Sequence, residues 1–92
     1  MISSEVVAAV RSQFLARCQK DVAALEAAMI DPGGSGRESL KLTVHRLSGA
    51  AGVFGFRQIG EMAAAMDDVL GDGENVKPSE VQALVDAVRA IL

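Results

Sequence analysis

The chain has 92 residues and a mass of 9.6 kDa, read as one domain over 1–92 with room for a single compact core. Half of it is apolar, alanine is its commonest residue and its only aromatics are three Phe, a composition that favours helices and, at a mean hydropathy of +0.28, excludes intrinsic disorder. A net charge of −3 and a pI near 5.0 argue against nucleic-acid binding, and no apolar run approaches the ~18 residues that span a bilayer, so a soluble cytoplasmic chain without membrane contact is expected.

After Met1, the residues Ile2, Ser3, Ser4 and Glu5 form neither a basic nor an apolar leader, so no signal peptide is expected. From about Ser4 to Ile30 the stripe Val7, Val10, Phe14, Cys18, Val22, Leu25 and Met29 steps by three or four, which predicts a first amphipathic helix. Asp31-Pro32-Gly33-Gly34-Ser35-Gly36 ends it and reads as a flexible connection. A second helix is expected from about Arg37 to Gly55. A third, from about Gln58 to Leu70, carries Ile59, Met62, Met66 and Val69 on one face and stops at Gly71-Asp72-Gly73-Glu74-Asn75. The fourth begins near Pro78 and repeats Val81, Leu84, Val85, Val88 and Leu92 to the C-terminus. No stretch alternates with period two. Short connections between four such helices predict an all-α, antiparallel four-helix bundle.

Several chemistries are missing from this pattern. One cysteine and one histidine give neither an internal disulfide nor a metal-binding cluster, and Cys18 on the apolar stripe reads as core. The glycine-rich stretch lacks the Gly-Lys-Ser/Thr and the preceding strand of a phosphate-cradling loop. The acidic run from Asp67 to Glu74 lacks calcium-loop spacing and reads as a solvated helix end, and Met29, Met62 and Met66 read as core filling. Charge is uneven, however: residues 37–57 hold four basic side chains against one acidic, whereas residues 58–92 hold two against seven.

That basic middle segment contains the only histidine, His45. At about 100° per residue, the core candidates Leu40, Leu47, Ala51 and Phe54, flanked by Thr43, Val44 and Ala50, fall on the side of the helix opposite His45. Lys41, Ser48, Gly49 and Gly52 lie within about 60° of it. Gly49 and Gly52 would together cost ~2 kcal/mol in a helix interior, which favours a surface kept clear so that something external can approach the imidazole. Leu42, Val53 and Phe56, at about +60°, +80° and +20°, predict an apolar docking patch beside the ring.

The run His45-Arg46-Leu47-Ser48-Gly49-Ala50-Ala51-Gly52-Val53-Phe54-Gly55 resembles the signature of histidine-containing phosphotransfer (HPt) domains, approximately His-x-Leu-Lys-Gly-Ser/Ala-Ala/Ser with a glycine-punctuated helix end. Phe14-Leu15 with Val22 to Met29 before it, and the alanine-rich helix ending Met66-Asp67 after it, also look like that family's flanking helices. The resemblance implies a monomeric four-helix bundle in a two-component phosphorelay. His45 would be the phosphoacceptor, with a response-regulator receiver domain and a histidine or hybrid kinase as partners. An ordinary imidazole is largely neutral near pH 7 and offers one ring nitrogen's lone pair to phosphorus. Phosphoryl transfer depends mainly on positioning and charge neutralisation, so no cofactor is expected on this chain, and Mg²⁺ is expected on the partner receiver. No convergent acid–base pair is read around His45. The family usually places lysine where this chain has Ser48, and Lys41, one turn earlier on the same face, could supply the cation. Two other readings stand beside the carrier: an adaptor of the same shape that binds a receiver or kinase without carrying phosphate, and an independent enzyme or metal protein.

Overall fold

The computed structural model describes residues 3–92, so Met1 and Ile2, on which the leader expectation partly rests, lie outside the described residues. Four helices form in chain order: α1 (Ser4–Ile30), α2 (Ser35–Val53), α3 (Arg57–Gly71) and α4 (Pro78–Arg89). Among the described residues there is no strand. The Ser3 hydroxyl accepts a hydrogen bond from the Val6 N–H and caps α1. Pro78 occupies the first turn of α4, where its missing N–H costs nothing, and the Glu80 carboxylate accepts from the Lys77 N–H just before it.

Contacts between neighbouring helices fix their directions. Along α2 in reverse, Gly52 lies against Gly60, His45 meets Asp67 and Arg37 reaches Leu70 and Glu74, so α3 runs opposite to α2. On the other flank Phe54 stacks on Phe14, Arg46 pairs with Asp21 and Gly36 abuts the Asp31 carbonyl, so α1 is antiparallel to α2 as well. The fourth helix packs between α1 and α3, and its end, at Ala87, Ala90 and Ile91, lies beside the start of α3 at Arg57 to Ile59, so α4 runs opposite to α3. This is the antiparallel four-helix bundle that the periodicity predicts. Its centre is built from Cys18, Leu25, Val44, Leu47, Ala51, Ala63, Leu70, Leu84, Val85 and Val88, all essentially without solvent contact. No helix among the described residues is long and apolar enough to cross a membrane.

Four sequence expectations are corrected. Val7 and Val10 are exposed although they continue the α1 stripe. The cause is length: 27 residues of α1 span about 40 Å and the 19 of α2 about 28 Å, so α2 runs out opposite Phe14 and every residue from Ser3 to Gln13 is exposed. Leu92 is likewise exposed, because α4 stops at Arg89. Gly36 belongs to the first turn of α2 rather than to a loop, and a side chain there would collide with the Asp31 carbonyl.

Phe56 is the fourth correction. The second helix ends at Val53, and Gly55 turns the chain with φ +84°, a conformation suited to glycine. Stepping by 100° therefore cannot be carried on to Phe56. Its ring swings back onto the core, 5.7 Å from Phe14, with the Arg11 guanidinium 4.9 Å above it. Phe56 is half-buried and is not part of an outward patch.

Candidate functional site

His45 stands at mid-length on α2 with its side chain 75% exposed, while Thr43, Val44 and Leu47 around it turn inward. The outward direction follows from helical geometry, because the core positions of α2 occupy the opposite arc. The ring nevertheless has a fixed partner. Its Nδ1 lies 2.9 Å from Oδ2 of Asp67, a half-buried side chain on α3 that is 28% exposed. An ionised carboxylate can only accept, so in the neutral ring this contact favours the proton on Nδ1 and the lone pair on Nε2.

Asp67 was legible only as one member of an acidic run at the end of a helix. Its role depends on the register between α2 and α3, which neither helix carries alone. A carboxylate one residue after the buried Met66, at the edge of the core face, is the single local hint.

Glu38, Lys41, Leu42, His45 and Asp67 line a shallow cleft of about 290 Å³ over the ring's α3 side. Among the described residues Lys41 makes no ion pair and no side-chain hydrogen bond, whereas the three arginines of the basic segment are all engaged. Arg46 is bound to Asp21 at 2.6 Å, Arg57 to Glu61 at 2.9 Å, and Arg37 to the Glu74 carbonyl at 2.9 Å. The local excess of positive charge therefore reaches the site through Lys41. The Ser48 hydroxyl is spent on the backbone, donating to the His45 carbonyl at 2.7 Å.

Gly49 and Gly52 are both exposed, and a Cβ built on either would meet nothing within 4 Å. Neither is needed for packing inside the chain. Close approach of α2 and α3 instead uses Gly60, where a Cβ would lie 3.5 Å from the Gly52 nitrogen and 3.8 Å from the Ser48 oxygen. Leu42 and Val53 are exposed at 63% and 78%, on the outward side where the sequence places them.

Beneath this surface, burial pushes the Cys18 thiol up to about 11, and the nearby Asp21 carboxylate adds to the shift. Cys18 is core, as its place on the stripe predicts.

In comparisons with known proteins, no curated protein and no solved structure matches the chain. The sequence pattern of the Hpt domain does match, over residues 9–92, which takes in all of α2, α3 and α4 and most of α1. Hpt domains are helical bundles that serve phosphotransfer in two-component signalling, where they interact with kinases and receiver domains. With nearly the whole chain inside the match, and four antiparallel helices presenting one histidine, the protein belongs to the Hpt domain family.

Proposed function

We propose that this chain is a phosphorelay carrier that accepts a phosphoryl group on Nε2 of His45 and passes it to or from an aspartate of a receiver domain. The observation that carries this reading is the ring itself: exposed, mid-helix, and held by Asp67 through Nδ1, with Nε2 left free of that contact. In the accepting direction the Nε2 lone pair forms the N–P bond while the O–P bond of the receiver's aspartyl phosphate breaks. The bonding pair leaves with the receiver's carboxylate. The ring becomes positively charged and keeps its proton on Nδ1, and the Asp67 carboxylate beside that N–H stabilises the developing charge.

Most of what else the reaction needs comes from outside. The partner receiver supplies Mg²⁺ and the in-line geometry, while Lys41 offers a cation on the rim of the cleft. Gly49 and Gly52 leave room for a closely docked surface, with Leu42, about one turn from the ring, and Val53, about two turns away on the same side, as its apolar contacts. The test is incubation with a receiver domain carrying labelled phosphate. Acid-labile, base-stable label on this chain, absent from His45→Gln, is the expected result. Receiver binding without label would favour the adaptor.

A further inference from the structure

Arg37 sits eight residues before His45 on α2, about 12 Å along the helix axis, too far for its guanidinium to serve a group on the ring. It is committed elsewhere. Nη2 donates to the Glu74 carbonyl at 2.9 Å, in the connection just after α3, and approaches the Leu70 carbonyl at 3.5 Å in the last turn of α3. That end is electrostatically awkward. Asp67, Asp68 and Asp72 crowd the negative pole of the helix dipole, and the last turn of α3 contains no basic residue. The offsetting cation is supplied from α2. Asp67 stands one turn before the final residue of α3, so the strap that holds this end also holds the carboxylate that meets His45.

We infer that Arg37 is a positioning residue for the imidazole: by tying the end of α3 to α2 it fixes where Asp67 meets Nδ1, and thereby which ring nitrogen carries the proton. The consequence for transfer rests on the function proposed above. The consequence for the proton does not, because it needs only the contacts of this chain.

His45 is the only histidine of the 92 residues, so ¹⁵N spectra of the histidine-labelled chain report one ring without ambiguity. At a pH where the ring is neutral, the wild type is expected to show the proton on Nδ1. Arg37→Ala should move it toward Nε2, as Asp67→Asn should, and slow labelling by a phosphorylated receiver several-fold. Arg37→Lys should recover part of both effects, and Arg37→Ala should add nothing in an Asp67→Asn background. A lower melting temperature with an unchanged tautomer would make Arg37 merely structural and overturn the inference. Additive effects in the double variant would overturn it too. Should Arg37→Ala fail to fold, Arg37→Gln and Arg37→Lys are read in its place against the same two criteria. A tautomer that shifts in a protein that never accepts phosphate would leave the positioning role standing and remove the carrier.

Discussion

Two adjacent residues of α2 each meet an aspartate from a neighbouring helix, with opposite outcomes. Arg46 turns toward α1 and pairs at 2.6 Å with Asp21, whose side chain is 3% exposed and is also approached by Arg17 at 3.5 Å. His45 turns toward α3 and pairs at 2.9 Å with Asp67, in a contact open to solvent. The distances are alike and the burial is not. A carboxylate sealed between helices cannot lose its partner without becoming an uncompensated buried charge, so the first pair is fixed for the life of the fold. An exposed pair is cheap to form and to break, which leaves the ring free to change its chemical state while the bundle stays the same. One side of α2 anchors the helix, and the other works.

That contrast can be broken most directly by truncating both residues. Arg46→Ala leaves Asp21 buried with Arg17 alone, and should cost about 3 kcal/mol in denaturant unfolding. His45→Gln should stay within ~0.5 kcal/mol of wild type yet lose all phosphotransfer. Equal stability losses in the two variants would show that both pairs anchor the fold, and the distinction would fall.

Burial also gives Cys18 a part in the pH dependence of stability. Cys18 keeps its thiol proton in the native chain up to about pH 11, against an ordinary value of 9.0 in the unfolded chain. The unfolded chain therefore releases the proton first, and stability is complete below pH 9 and declines as pH rises toward 11. The loss should be on the order of 2 kcal/mol by the upper end. Cys18→Ala, whatever its own packing cost, should flatten that part of the pH–stability curve; an unchanged slope would assign the decline to other groups. On the open side, Asp67→Asn removes one charge-assisted contact, worth about 1.5 kcal/mol in the transition state, and should slow transfer roughly tenfold. Its melting temperature should hardly move. A full-rate Asp67→Asn variant would reduce Asp67 to a bystander.

Legibility from sequence followed the same division. Positions set by one helix's own periodicity were readable: the buried run Leu40, Val44, Leu47 and Ala51, the outward His45, and the exposed Leu42 and Val53 all lie where the 100° step puts them. Features set by a second element were not. Val7 and Val10 keep perfect spacing and lose their burial because α2 is too short to cover them. Phe56 was placed by extending a helix past its real end. Asp67 and Arg37 act across the α2–α3 register, and no pattern within either segment announces that register.

A smaller effect tests the charge balance of the open side. Lys41 shares the cleft with Glu38 and Asp67, and a phosphoryl group on His45 would bring roughly two negative charges into it. Lys41→Ala should weaken phosphorylation or shorten the phosphohistidine lifetime a few-fold at low ionic strength, with less effect as salt is raised. Ser48→Lys in that background should restore part of the loss. Wild-type behaviour of Lys41→Ala at low salt would transfer the neutralising role to the partner.

The finest test asks whether the open side is open for a reason. Gly49 adjoins the ring by one helical turn and touches nothing that a methyl group would disturb, so Gly49→Ala should stabilise the bundle by up to ~1 kcal/mol through helix propensity alone. Gly49→Gln should keep the fold and still block transfer, because its longer side chain fills the space a docked receiver requires. Melting and transfer are measured on the same two variants, so packing and clearance separate cleanly. A destabilised Gly49→Ala would mean that the glycine serves the bundle, and an active Gly49→Gln would mean that nothing needs to come so close; either result ends the clearance account, while a stable, inactive Gly49→Gln ties this empty surface to the chemistry of His45.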